Sequence, residues 1–560
     1  MKTKAKGYQV MIWISVIMCL VLIGYPIIII LLRSFSDDGF TFNNYIEVFT
    51  NPKNLIALKN SIFLSVTATL ASTIIGCLIA WLVSRTNVHL QKLIHKLMLV
   101  HFFIPPFISA LAWQQILGPV GVVNKFYMNL TGAAEPLFNI YGQNGILFVF
   151  TLSGSVMVYM VVLDSFHKMQ ASLEEAAVIV GATPFQVIKD ITLPVLKPSI
   201  LSAMLMVFMS NISNYGVPSV LGFHVSYYTL TTRIYEVIQD FTITNNMEIA
   251  ASLSMILVVF AIISLIVKER LVKGKSFAVV TGKSEHLTRH SLGVFNWILS
   301  IIAIAYGLLI SVVPVLSILA TSLTKAYGLP FSLSNMSLKN YQTVLFSMST
   351  FQSAFKNSLF LAFTAACIAV VLGFITAYIC VMTDFKWKKQ LEMLITLPSA
   401  IPGTVMAIAI ILAWIKPIPI LGVSLYNTLW IILIAYVANY SAQAFRAISG
   451  GLYQLSATLE EAAEISGASL GRRLTEIIVP MMKKSICNAW FLIFIPCFRE
   501  LTLSIFLWSS GNETLATVIF TLQDAGNYTA ACALSIIIIV MIAILNGISD
   551  HLFKSEKENA

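Results

Sequence analysis

The chain has 560 residues, 58% of them hydrophobic and only 11% charged, whereas charged residues make up about a quarter of a typical soluble domain. That balance excludes a water-soluble enzyme or binding module, because so much apolar surface needs lipid around it. The net charge of +10 comes with no basic stripe and no aromatic platform, so nucleic acid is not an expected partner; membrane topology and the anionic inner leaflet account for it.

Apolar runs of about 20 residues, the length that crosses a bilayer core, recur at roughly 10–32, 60–83, 97–117, 145–163, 199–221, 249–267, 294–320, 357–382, 393–415, 428–445, 486–508 and 530–548. These predict twelve spans in an all-α polytopic membrane protein. The first follows Lys2, Lys4 and Lys6 but is too long for a signal peptide and has no small-residue cleavage site before Arg33, so it is expected to be retained. Short loops rich in Lys and Arg stay in the cytoplasm. Placing the N-terminus inside puts most of the 35 Lys and Arg in the N-terminal segment, the loops after even-numbered spans and the C-terminal tail, so both termini are predicted to be cytoplasmic. All seven cysteines lie in apolar stretches without a C-x-x-C arrangement, which favours packing over a disulfide framework or a zinc site.

Lys59-Asn60-Ser61-Ile62-Phe63-Leu64 returns as Lys356-Asn357-Ser358-Leu359-Phe360-Leu361, and Ile104-Pro105 returns as Ile401-Pro402, both displaced by 297 positions. Further on, Glu174-Glu175-Ala176-Ala177 returns as Glu460-Glu461-Ala462-Ala463, displaced by 286. The chain therefore divides into a first half, 1–267, a basic linker, 268–293, and a second half, 294–560. Each half has an even number of spans, so the two are parallel repeats, and a pathway at their interface is the natural expectation.

The segment between the fourth and fifth spans of each half, 172–198 and 458–484, is long and built the same way twice. Ser172 with Glu175, and Thr458 with Glu461, have capping-box spacing. Leu173, Ala176, Ala177 and Val180 then share one face, as do Leu459, Ala462, Ala463 and Ser466. Gly181 and Gly467 are placed to end these short helices in a left-handed turn. A second helix follows each, with Thr183 capping and Pro184 at its first position. Its predicted apolar stripe is Pro184, Ile188, Ile191 and Val195, and in the second copy Leu470, Leu474, Ile477 and Met481.

These loops resemble the "EAA" loop of type I ABC importer permeases: Glu-Ala-Ala, a Gly four positions on, then Ile-x-Leu-Pro. The chain reads Glu175-Ala176-Ala177, Gly181 and Ile191-Thr192-Leu193-Pro194, then Glu461-Ala462-Ala463, Gly467 and Ile477-Ile478-Val479-Pro480, departing only at Val479. The resemblance implies a bacterial inner-membrane permease with two fused six-helix halves, each seated through its loop on one cytoplasmic ATPase subunit, and supplied by an external substrate-binding protein. It also implies ATPase-coupling roles for Glu174, Glu175, Ala176, Ala177 and Gly181, and for Glu460, Glu461, Ala462, Ala463 and Gly467. For Glu175 and Glu461 the plainer alternative is helix capping alone.

No phosphate loop is present: Gly274-Lys275-Ser276 and Gly282-Lys283-Ser284 mimic its tail, but Glu269 and Phe277 stand where its leading Gly belongs. His286 and His290 have helical metal spacing without a third ligand, and no serine or cysteine hydrolase constellation is visible. The chain is thus expected to bind no cofactor and to be no enzyme by itself, with ATP held by partner subunits.

Polar groups at membrane depth are functional suspects. Asn211 and Asn214 in the fifth span, and Arg499 and Glu500 in the eleventh, are candidates for lining the pathway, with interhelical hydrogen bonding, an ion pair, or a place in the outer interface as alternatives. Arg233 and Glu236 fall in a predicted external segment, either a receptor for the binding protein or a solvated loop. The stretches Tyr215-Gly216-Val217-Pro218-Ser219-Val220-Leu221-Gly222, Leu230-Thr231-Thr232-Arg233-Ile234-Tyr235, Arg499-Glu500-Leu501-Thr502 and Glu513-Thr514-Leu515-Ala516 resemble the ferric-iron branch of these permeases, a branch shared with phosphonate, sugar-phosphate, thiamine and polyamine systems. A major-facilitator transporter, also twelve spans in parallel halves, has no use for paired docking loops; a non-transporting scaffold has no use for them either.

Overall fold

The computed structural model describes residues 2–36, 39–272, 292–417, 422–455 and 457–554. Among them there is no β-strand, only the isolated bridges Ser36–Phe40 and Thr324–Met336. Ten helices are long and apolar enough to cross a membrane, and two further pairs, bent by 112° and 74°, bring the number to twelve if each is one span. The second, fourth, sixth, seventh, eighth, tenth and twelfth predicted spans match, to within one residue at the start of the seventh and tenth, stretches of Pro52–Arg85, Gln143–Lys168, Asn246–Arg270, Phe295–Ser322, Ser349–Met382, Leu429–Leu452 and Tyr528–Leu552. The predicted linker lies largely outside the described residues, as do His286 and His290; the sixth helix runs on to Val272.

Four predicted spans are not straight helices. The run 97–117 is interrupted: helix Gln91–Val100, a tight turn His101–Phe103, extended Ile104 and Pro105, then helix Pro106–Leu117. The run 393–415 repeats this, with Ile401 and Pro402 extended between Lys388–Ala400 and Gly403–Trp414. The cause is local: proline has no N–H to give the helix, and it drives the preceding Ile out of the helical region. The run 199–221 ends as a helix at Ile212, turns through Ser213–Tyr215, and resumes as the wholly buried helix Gly216–Gly222. The run 486–508 breaks after Phe498 and resumes at Ser504–Leu507.

The first span of each half packs on the other half. Ser15 Oγ lies 2.7 Å from Thr376 Oγ1, and Tyr25 OH donates to the Ala413 carbonyl at 3.4 Å. Reciprocally, Tyr306 OH lies 2.5 Å from Ser155 Oγ, and His101 Nδ1 lies 3.0 Å from the Ile310 carbonyl. Within each half the second span lies close on the fourth. A β-carbon on Gly76 would stand 2.6 Å from the Ser155 carbonyl, and one on Gly373 would stand 2.7 Å from Ala444 Cβ, the close approach that small residues give membrane helices.

The repeated Lys-Asn-Ser sequence has a purpose at the far end of these helices. Asn60 Nδ2 donates to the Tyr228 carbonyl at 2.9 Å, and Ser61 Oγ accepts from Leu230 N at 2.7 Å. In the second half Asn357 Nδ2 donates to the Glu513 carbonyl at 3.0 Å, and Ser358 Oγ accepts from Leu515 N at 2.9 Å. Each pair ties the second span of its half to the start of a helix, Leu230–Gln239 or Leu515–Asp524. Arg233 belongs to the first of these helices and is buried, its Nε 2.8 Å from Asn54 Oδ1 and its Nη1 2.7 Å from Glu236 Oε2; it is not part of a solvated loop.

Ser61→Ala together with Ser358→Ala removes a buried acceptor in each half, at about 1–3 kcal/mol per unsatisfied N–H. The double variant is expected to unfold at a lower temperature in detergent micelles, and an unchanged midpoint would show that these ties carry no stability.

Candidate functional site: the paired loops

Both loops lie at the same end of the bundle and share one construction. The first helix of loop one is Ala171–Ile179, with Gln170 at the cap position and no side-chain cap. The expected Ser172–Glu175 box is therefore not the start signal, since Ser172 already lies in the first turn. In the second loop the helix is Ala457–Ile465, which places Thr458 in its first turn; position 456 and the Glu461 side chain lie outside the described residues. The helix ends are as expected. Gly181 has φ +91° and Gly467 φ +82°. Ala182 N donates to the Ala177 carbonyl at 2.9 Å, Gly181 N to the Val178 carbonyl at 3.0 Å, and Ala468 N to the Ala463 carbonyl at 3.0 Å, the pattern of a Schellman turn.

The second loop helix of copy one is continuous with the fifth span, Phe185–Ile212. Thr183 caps it reciprocally with Gln186: Thr183 N donates to Gln186 Oε1 at 2.8 Å, and Gln186 N to Thr183 Oγ1 at 3.4 Å. In copy two Ser469 Oγ accepts from Arg472 N at 3.4 Å. The predicted apolar stripes are out of phase. The buried residues are Val187, Thr192 and Leu196 in one copy and Arg473, Ile478 and Met482 in the other. The reason is a π-helical turn at Ile188–Thr192 and again at Arg473–Ile478. It inserts one residue into the helical repeat, and such turns gather at functional sites.

Within the repeated Glu-Glu-Ala-Ala, the first glutamate is the anchor. Glu174 is buried, 2.8 Å from Arg85 Nε through Oε2, and accepts from Thr192 Oγ1 at 2.6 Å through Oε1. Arg85 ends the second span, is itself buried, and lies over the Phe166 ring at 5.3 Å. Glu460 meets Arg473 Nη1 at 3.5 Å and accepts from Tyr378 OH. Glu175 is half-buried, Ala176 and Ala462 are exposed, and Ala177 and Ala463 are half-buried. Each loop is thus clamped from beneath by a carboxylate–guanidinium pair, while apolar side chains stand free on top. Ile179 and Val180 are each 84% exposed, Phe185 73% and Ile465 87%. The clamp partners Arg85, Thr192, Arg473 and Tyr378 escaped the sequence reading. A charged residue in the buried phase of copy two, Arg473, where copy one has Val187, was the available signal.

The suspected pathway residues sit at the breaks of the fifth and eleventh spans, and two of them, Asn214 and Glu500, use their side chains alike. Asn214 Oδ1 accepts from Val217 N at 2.9 Å; Glu500 Oε2 accepts from Leu503 N at 2.7 Å and Ser504 N at 3.2 Å. Each caps the short buried helix after its break. Asn211 is buried beside the first break. Arg499 forms no salt bridge with Glu500 among the described residues; its Nη1 donates across the halves to the Phe102 carbonyl, at the turn in the broken third span. Above these breaks an aromatic wall joins the halves: Tyr215 to Phe506 at 5.4 Å, Tyr235 to Phe506 at 5.6 Å and Tyr215 to Phe520 at 6.0 Å. Among the described residues no group of His, Cys, Asp and Glu is arranged to hold a metal ion.

Removing one partner of a buried ion pair costs about 3–5 kcal/mol, because the other charge stays behind. Arg85→Leu is therefore expected to lower the detergent melting temperature sharply and to expose the first loop to protease. Glu175→Ala is expected to leave both within error, and equal losses in the two variants would contradict the assignment of Glu174 as the anchor.

Over residues 72–276 and again over 369–556 the chain matches the family described as binding-protein-dependent transport system inner membrane component. It is 28% identical over 531 residues to the ferric transport system permease protein FbpB of Actinobacillus pleuropneumoniae, covering 93% of this chain and 75% of that one. It is 25% identical to the Fe(3+)-transport system permease protein FbpB 2 of Haemophilus influenzae, covering 97% and 98%. A shorter match, 32% identity over 189 residues, covers 34% of this chain and 69% of the putative 2-aminoethylphosphonate transport system permease protein PhnV of Salmonella paratyphi A. With one family match on each half, each spanning an EAA loop and the broken span after it, the chain belongs to the inner-membrane permease components of binding-protein-dependent transport systems.

Proposed function

We propose that this permease imports ferric iron, delivered by an external binding protein, through ATP-driven alternating access. The observation that carries the reading is the pair of loop knobs, each closed by a glycine turn, clamped from beneath and apolar on top. Such a knob is a rigid handle, and two at one end of a two-half bundle suit one cytoplasmic ATPase subunit each. The Lys and Arg distribution supports placing that end, and both termini, in the cytoplasm. ATP is then bound and hydrolysed on the partner subunits, and this chain carries no cofactor. Closure of the ATPases draws the knobs together, and the halves rock about their shared interface, where Arg499 bridges to Phe102 and Tyr215 meets Phe506.

The ferric assignment rests on the nearly full-length likeness to ferric permeases. A 2-aminoethylphosphonate substrate is the second reading, favoured by the higher identity over a third of the chain. The cargo needs no resident metal site in the permease, since selection by the binding protein precedes translocation.

The test is radiolabelled ferric-ion accumulation in cells with and without this chain, other iron importers having been removed. Loss on deletion, restored by the intact chain and resistant to a protonophore, supports the reading. Unchanged accumulation moves the substrate to phosphonate. Bulky residues at both Gly181 and Gly467 are expected to abolish uptake while the spans still insert. Among the described residues beyond the adjoining ones, no atom lies within 4 Å of a β-carbon at either position, so the damage comes from the left-handed backbone, which costs a non-glycine residue about 1–2 kcal/mol.

A further inference from the structure

The two clamps are alike in chemistry but not in ownership. Every described partner of Glu174, namely Arg85 and Thr192, belongs to the first half. The clamp of the second loop takes a residue from the opposite half. Arg473 Nη2 donates to Tyr8 OH at 2.7 Å, and the Arg473 guanidinium lies 5.6 Å from the Tyr8 ring centre. Tyr8 OH is 3.3 Å from Tyr378 OH, and the two rings stack at 6.5 Å with 11° between their planes. Gly7 stands against the same loop, its β-carbon position 3.6 Å from Leu470 Cδ2. Two turns further along the first span, Ser15 bonds Thr376 and holds the helix in place. At the start of the seventh span Trp297 stacks on His89 at 4.0 Å, and Ser300 Oγ accepts from His89 N at 2.7 Å, just past the second span.

We propose that Tyr8 is a positioning residue that clasps the second EAA loop to the first half, so that the seating of this loop follows the docking of the halves. The inference rests on the proposed importer function. The clasp opens when the first span moves against the eighth, parting Tyr8 from Arg473 while the Arg473–Glu460 pair stays. Losing it uncouples loop motion from the bundle without touching the pathway or the exposed knob.

The complete transporter, permease with its ATPase subunits and binding protein, is reconstituted in proteoliposomes, and ATP hydrolysed per ferric ion imported is measured. Tyr8→Ala is expected to raise that ratio about tenfold, what one charge-assisted hydrogen bond does to an equilibrium, and Tyr8→Phe, which keeps the ring, less. Wild-type transporter that imports no iron refutes the ferric reading and leaves the clasp to a second measurement. That measurement replaces the seven native cysteines by alanine, introduces Gly7→Cys with Leu470→Cys, and follows cross-linking by a short bismaleimide. Rapid cross-linking without nucleotide, slowed severalfold by a non-hydrolysable ATP analogue, supports the clasp. Equal rates in both states, or an unchanged coupling ratio in Tyr8→Ala, overturn it.

Discussion

Every backbone N–H and C=O at membrane depth must find a partner inside the protein, since lipid offers none and each orphan costs several kcal/mol. An unbroken helix meets that demand by itself, yet this chain breaks its third, fifth, ninth and eleventh spans. Much of its remaining architecture answers the breaks. The extended Ile-Pro steps use a residue with no N–H, Asn214 and Glu500 cap the short helices that resume after the fifth and eleventh spans, and Ser61 and Ser358 cap the helices beyond. The short helices that resume after the fifth and eleventh spans, Gly216–Gly222 and Ser504–Leu507, are wholly buried in protein, as interrupted backbone at membrane depth must be.

That requirement explains why the halves cannot be described one at a time. The first span of each half lies on its neighbour, through Ser15 and Thr376 on one side and Tyr306 and Ser155 on the other. Arg499 of the second half bonds the broken third span of the first. The fifth and eleventh spans, which follow the two loops, break at contacts that belong to both halves. The Gly76 and Gly373 approaches keep the second and fourth spans of each half close-packed.

The repeat conserves geometry more strictly than it conserves residues. The π-turns recur at matching places, the buried phases coincide, and Glu174 and Glu460 occupy equivalent positions. The guanidinium that neutralises each glutamate comes from a different element: the end of the second span in one half, the loop's own second helix in the other. A buried carboxylate demands a partner of opposite charge but does not dictate where on the chain that partner sits. The two halves solved the same electrostatic problem separately, and one solution brought in the first span through Tyr8.

The sequence alone determined what depends on local composition and repetition. The apolar runs, the duplicated Lys-Asn-Ser and Glu-Glu-Ala-Ala segments, and the left-handed turns at Gly181 and Gly467 were legible, because length, pattern and a missing β-carbon act within a few residues. Tertiary structure decided the rest. The predicted stripe on the second loop helix was out of phase because a single inserted π residue leaves no mark in composition. The start of the first loop helix fell on Gln170 rather than Ser172, and the weight of the motif fell on Glu174 because Arg85, far away in sequence, meets that carboxylate. The apolar runs at 97–117 and 393–415 marked spans but not the bends at Ile104-Pro105 and Ile401-Pro402, since hydropathy measures only whether a segment prefers lipid. Whether its backbone can stop being a helix there depends on which neighbours arrive to satisfy it, and only the folded chain brings them together.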